Sequence, residues 1–306
     1  MKKLKKAWMI IRETGSAFSE DNAFKLSASL SYYTLFALGP VLIIIISLAG
    51  IFLGRDAVEG RLYGEMKNLL GDEASIQIQQ IIANHHHSHS STTGAIIGFV
   101  ILLIGATGVF TEMQGSINFI WSVKARPEKS WLKYLINRLL SFLLVLGLGF
   151  VLIVSLITNT ILTLMSDKLM RFFHNYTIYL FNLVNTAIIL VVITMLFAII
   201  FKVLPDARIK WKDAIIGSAV TAVLFLIGKF LIGYYIERAK LDITYGTAAA
   251  IIVILTWVYY TALILYFGAE FTKIYAIHAG SGIKPKDTAV FIIKKESKEI
   301  TSSSLL

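Results

Sequence analysis

Long runs of this chain contain no Asp, Glu, Lys or Arg at all. Leu26 to Gly54, Leu139 to Ser166, Phe172 to Phe201 and Ile243 to Ala269 are each free of those four residue types. A helix needs roughly 20 apolar residues to cross the hydrocarbon core of a bilayer, and every one of these stretches is longer. They are predicted as spans one, three, four and six. Span two begins at Gly94, runs at least to Phe110 and continues past Glu112 toward Trp121; span five covers Ala214 to Ile236, interrupted only by Lys229. The chain is 56% hydrophobic and 16% charged, against about 25% charged residues in a soluble domain, and a water-soluble fold of this length could not hide so much apolar surface. The expected fold class is therefore all-α: a polytopic membrane protein with six transmembrane helices, N-in/C-in topology and an amphipathic N-terminal interfacial helix.

Charge placement sets the orientation. A net charge of +10 suits either nucleic acid or anionic lipid, and the distribution of the cations decides between them. Of 29 Lys and Arg residues, 21 lie in the N-terminal arm, Lys124 to Arg138, Lys202 to Lys212 and the tail from Lys273. Such segments are retained on the cytoplasmic side. The expected location is the bacterial cytoplasmic membrane, with membrane lipids as partners and no nucleic acid. A reporter fused after Leu306 should read cytoplasmic, and a periplasmic signal would contradict the even span count. Trp8, Trp121, Trp131 and Trp211 are predicted at that interface, and Trp257 deep in span six. The apolar stretch from Leu26 outruns a signal h-region, so no cleaved leader is expected. Cysteine is absent, which excludes disulfides and a thiol nucleophile.

The expected domains are a cytoplasmic amphipathic arm over residues 1–25, a transmembrane domain over 26–275 with an extracytoplasmic loop at 55–93, and a cytoplasmic tail over 276–306. On the arm, Leu4, Trp8, Ile11, Gly15 and Phe18 form one stripe, read as an anchor or as a lipid-recognising face. The tail beyond Gly282 is Lys-rich and reads as solvated and poorly ordered.

The candidate functional residues are those that are hard to place in hydrocarbon. Span one carries Ser27, Ser31 and Thr34 at helical spacing, adjacent Tyr32 and Tyr33, and a Gly39-Pro40 break. Proline frees a helix carbonyl, so this face is read either as packing with a kink or as a substrate path. Glu112, Lys229 and Glu270 are ionisable groups within or beside spans, where a charge costs on the order of 3 kcal/mol. Lys229 has a snorkelling explanation and Glu270 a pairing with Lys273. Glu112 has neither if span two runs straight. Gly94, Gly98, Gly105 and Gly108 suit close helix packing or a homo-oligomer contact. His85, His86, His87 and His89 are weak metal candidates, with incidental affinity favoured over a dedicated site. His174 and His278 need no special role. No metal or other cofactor is expected.

Specific motifs resemble a known family. The run Leu26-Ser27-Ala28-Ser29-Leu30-Ser31-Tyr32-Tyr33-Thr34-Leu35-Phe36-Ala37-Leu38-Gly39-Pro40 is similar to the opening pattern of the YihY/BrkB family of bacterial inner-membrane proteins, once labelled ribonuclease BN. Further matches are Ile117-Asn118-Phe119-Ile120-Trp121, Leu204-Pro205-Asp206, Tyr245-Gly246-Thr247, Trp257-Val258-Tyr259-Tyr260 and Gly268-Ala269-Glu270. Ser29 and Thr247 stand where the pattern has Ala and Ser. The resemblance adds Asn118 and Tyr245 to the candidate substrate path and implies, for some members, a link to envelope lipid or lipopolysaccharide.

Three functions are weighed. A transporter or flippase-like protein for a lipid-related amphiphile fits best, and with no ATP-binding loop its energy must come from a gradient, a partner or passive scrambling. A structural or assembly factor of the envelope is the alternative. An RNA-cleaving enzyme lacks clustered carboxylates or His on the cytoplasmic side and a stacking RNA motif, so the chain is expected not to be an enzyme.

Overall fold

The computed structural model describes residues 2–53, 108–126, 176–239 and 248–293, with the isolated positions 60, 63, 75, 76, 79 and 245. Predicted span three, the His85 to His89 cluster, Gly94, Gly98, Gly105, Trp131 and His174 lie outside them, as does nearly all of the predicted outer loop.

Helix α1 (Lys2–Glu20) is followed by α2 (Ala23–Leu53). Asn22 makes the break between them with φ 54°, a left-handed conformation that Asn tolerates better than most residues. Helix α2 passes through Gly39 and Pro40 without interruption, so the expected break is a continuous helix. A described stretch of helix α3 covers 108–120 and runs straight past Glu112. It turns at Ser122, again with positive φ, into strand β1 (Val123–Ala125). Helix α4 (Tyr176–Val203) stops just before Pro205, whose ring disfavours helix in the residue ahead of it. Strand β2 (Ala207–Arg208), helix α5 (Trp211–Arg238) and helix α6 (Ala249–His278) follow. Segments Thr186–Val203, Trp211–Ile236 and Ala249–His278 are each long and apolar enough to cross a membrane.

Two short strands close the described chain, β3 (Lys284–Pro285) and β4 (Ala289–Phe291). Strand β4 pairs antiparallel with β1, Lys124 opposite Val290, and β3 with β2, Ala207 opposite Pro285. The all-α expectation thus needs a small correction, and so does the loose tail, since residues 284–291 are held by strand pairing. The physical reason is that these two- and three-residue strands have no period of their own and form only because the helices deliver their ends side by side. The N-terminal arm, the α3 exit, the α4–α5 connection and the chain after α6 therefore meet at one end of the bundle. Exposed Lys124, Arg126, Arg208, Lys210, Lys212 and Lys284 make that end basic.

Helix α1 packs its Ile10, Thr14 and Phe18 face inward and leaves Trp8 (69% exposed) and Ile11 outward. Among Trp8, Ile11, Gly15 and Phe18 of the predicted stripe, Phe18 is the residue that turns in. Helices α5 and α6 approach closely. A Cβ added at Gly217 would lie 1.9 Å from Thr272 Oγ1, and one at Gly268 would lie 2.0 Å from Thr221 Oγ1. Each threonine hydroxyl donates to the carbonyl four residues back on its own helix, Thr221 to Gly217 at 2.8 Å and Thr272 to Gly268 at 2.6 Å. The two helices thus exchange glycine-for-threonine contacts, a small-residue packing that suits a medium without a hydrophobic drive between helices.

Candidate functional site

At the basic end, the motif residues tie distant segments together. Asn118, near the end of α3, grips the α4–α5 connection twice: its Nδ2 donates to Asp206 Oδ2 at 2.9 Å, and its Oδ1 accepts from the Asp206 backbone N–H at 2.7 Å. Trp121 is buried, and its Nε1 donates to the Ala269 carbonyl at 3.0 Å. It was expected at the membrane interface, but the α3–α6 gap takes the ring and satisfies its N–H internally, as a buried indole requires.

Lys273 joins three elements. Its Nζ donates to the Ile120 carbonyl at 2.8 Å, to Glu270 Oε2 at 2.9 Å and to Asp21 Oδ2 at 3.4 Å. A cation is thereby held at the C-terminus of α3, where the helix dipole favours it. On the neighbouring face, Asp213 in the first turn of α5 accepts from the Ser281 N–H at 2.9 Å and its hydroxyl at 2.6 Å. Glu13 of α1 lies 3.4 Å from His278 of α6.

A seam of polar groups continues from this cluster between α3 and α6. The buried Tyr266 side chain, one turn before Glu270, faces Ser116 and Glu112 of α3. Neither the Tyr266 hydroxyl nor Glu270 Oε1 makes a hydrogen bond of normal length.

Beside the seam lies a cavity of about 410 Å³. Leu30, Phe110, Phe197, Phe225, Trp257 and Leu265 are among the residues that wall it, so α2, α3, α4, α5 and α6 all contribute. The hydroxyls of Thr34 and Thr261 on this wall are committed to their own helices, to the Leu30 carbonyl at 2.7 Å and the Trp257 carbonyl at 2.9 Å. The interior is left apolar.

The other sequence candidates are dispersed. Ser27 and Ser31 are buried and bond to the carbonyls of Ala23 at 2.8 Å and Ala28 at 2.9 Å. This is how Ser and Thr commonly settle in a helix. Tyr32 and Tyr33 are exposed, Tyr32 against Phe36 with ring centroids 4.9 Å apart. The side chain of Pro40 lies outside the described residues. Lys229 and Tyr245 are exposed. Asn118, Glu112 and Glu270 are the candidates that the fold gathers along α3 and α6. Asp21, Tyr266, Asp213 and the packing roles of Gly217 and Gly268 escaped the sequence reading. The paired spacings Gly217-x-x-x-Thr221 and Gly268-x-x-x-Thr272 were the available signal for the last two. Among the described residues, no group of three His, Cys, Asp or Glu side chains is placed to hold a metal ion.

Known proteins resemble this chain in sequence only, because no solved structure matches it. A UPF0761 membrane protein of Saccharophagus degradans is 28% identical over 256 residues, 84% of this chain and 57% of that protein. One from Rhodospirillum centenum is 26% identical, covering 86% of this chain and 56% of its own length. One from Psychromonas ingrahamii is 25% identical over 89% of both chains. The chain thus spans little more than half the length of the first two relatives. The family model described as Virulence factor BrkB matches residues 14–290. That range takes in Asp21, the α3–α6 seam, the cavity and the strand pairs, and the chain, an integral membrane protein, belongs to the BrkB family.

Proposed function

We propose that this chain is a transporter or flippase-like protein of the bacterial cytoplasmic membrane, moving a lipid-related amphiphile whose acyl chain occupies the cavity walled by α2, α3, α4, α5 and α6. One observation carries the reading: the cavity is within the roughly 300–1,000 Å³ range of ligand sites, yet its wall offers no uncommitted hydroxyl. Such a wall gains free energy by burying alkyl groups and suits a chain better than a headgroup. The basic end then faces the cytoplasm, where Lys and Arg are retained and anionic headgroups attract them. Helix α1 lies along that interface, with Trp8 and Ile11 toward lipid and Lys5, Lys6 and Arg12 toward headgroups.

A phospholipid with a diazirine in mid-chain tests the occupant. After reconstitution and irradiation, label is expected on peptides carrying Phe110, Trp257 or Leu265, and Val258→Trp should reduce it about tenfold, a loss of about 1.4 kcal/mol in occupancy. Labelling confined to the outward-facing Val191, Met195 and Phe230, and unchanged by Val258→Trp, would contradict the reading.

A further inference from the structure

We propose that the seam between α3 and α6 is a proton route, with Glu270 and Tyr266 as its buried stations, running from Asp21 at the basic end to Glu112 beside the cavity. Both stations are 0% exposed. Each presents an oxygen that makes no hydrogen bond of normal length, Glu270 Oε1 and the Tyr266 hydroxyl. Buried polar atoms nearly always have partners, and an exception calls for an explanation such as an ordered water or an ion. Here the two exceptions lie one helical turn apart on one face of α6, and they lie in line with other polar groups. Glu270 is faced by Asp21 from the α1–α2 junction and by Lys273 from its own helix. Tyr266 is faced by Ser116 and Glu112, themselves one turn apart on α3. Glu112 to Trp121 is a rise of about 14 Å, so the seam extends well into the span.

What these two oxygens would bind follows from charge. The Lys273 ammonium already sits 2.9 Å from Glu270 and 3.4 Å from Asp21. A metal ion bound to the same carboxylates would meet that ammonium at short range, where like charges in a poorly solvated site repel strongly. Water and a proton meet no such opposition. Ionisable groups inside spans that face the bundle interior mark such relays.

The step needs no redox partner. A proton from bulk water forms an O–H bond at Asp21 and passes to Glu270 as the first bond breaks. A bridging water then takes it to Tyr266, whose oxygen accepts one proton while releasing its own toward Ser116 and Glu112. Each oxygen from Asp21 to Ser116 gains one proton and loses one, Glu112 passes its proton on to water entering from the opposite side of the membrane, and no electrons move.

The route stands independently of what fills the cavity, and its test uses no translocated lipid. The full chain is reconstituted into liposomes containing a pH-sensitive dye, a potassium diffusion potential is applied with valinomycin, and proton influx is recorded. Influx above that of empty liposomes is expected, falling at least tenfold in Glu270→Gln and several-fold in Tyr266→Phe, two near-isosteric changes that keep the packing. Infrared difference spectra across a pH step provide the second measurement, with a carboxylic-acid band expected in the parent chain and lost in Glu270→Gln. Influx equal to that of empty liposomes, or influx and band both unchanged in Glu270→Gln, would overturn the proposal.

Discussion

Gly217→Leu should lower the thermal midpoint of the detergent-purified protein more than substitutions elsewhere on α5, through a loss of about 3 kcal/mol, the upper part of the usual overpacking range. Even a methyl group there would meet Thr272 Oγ1 at 1.9 Å and Thr272 Cβ at 2.8 Å. That side chain cannot swing away cheaply, because its hydroxyl is tied to the Gly268 carbonyl at 2.6 Å. The helices would have to separate, and contacts along the whole α5–α6 crossing would loosen with them. The compensated pair Gly217→Ala with Thr272→Gly returns volume to the same spot and should melt closer to the parent than Gly217→Ala alone. Fluorescence-detected size exclusion after heating reads both. A midpoint for Gly217→Leu equal to that of the parent would show that the close approach is not real.

Lys273→Met is the second large effect, a destabilisation of about 3–5 kcal/mol, as expected when one partner of a buried ion pair is removed. Methionine nearly matches the lysine stem in size, so packing is largely kept and the loss is electrostatic. Glu270 would be left fully buried beside Asp21 without the cation between them, and the Ile120 carbonyl at the end of α3 would lose its donor. Replacing both members, Lys273→Met with Glu270→Leu, should recover part of the loss, because an apolar substitute for a whole buried pair is often tolerated. The same heating assay separates the outcomes, and a double variant no better than Lys273→Met would argue against the pair as the cause.

What could be read from the chain was whatever hydrocarbon imposes locally. Charge-free runs gave Ala23–Leu53 and Tyr176–Val203, and a run broken only by Lys229 gave Trp211–Arg238, each to within a few residues. Span six was read to Ala269, with Glu270 expected to pair with Lys273 beside its end; the pair forms, and the helix α6 continues past it to His278. Pairings across large sequence separations left no local trace. Nothing beside Asn118 indicates Asp206, and nothing beside Lys273 indicates Asp21. The strand pairs were illegible for the same reason. Trp121 misled because an amphipathic ring suits an interface and an internal hydrogen bond equally well. The cavity is a property of five helices at once, and no single helix announces it.

Lipid translocation in proteoliposomes tests the central claim most directly. Fluorescent phospholipid in the inner leaflet should become accessible to an external quencher when the parent chain is present. Val258→Trp should cut that rate about tenfold while Val258→Ile leaves it near the parent value, with both variants eluting as the parent does. No translocation by the parent chain, or the same rate with tryptophan on the cavity wall, would contradict the account.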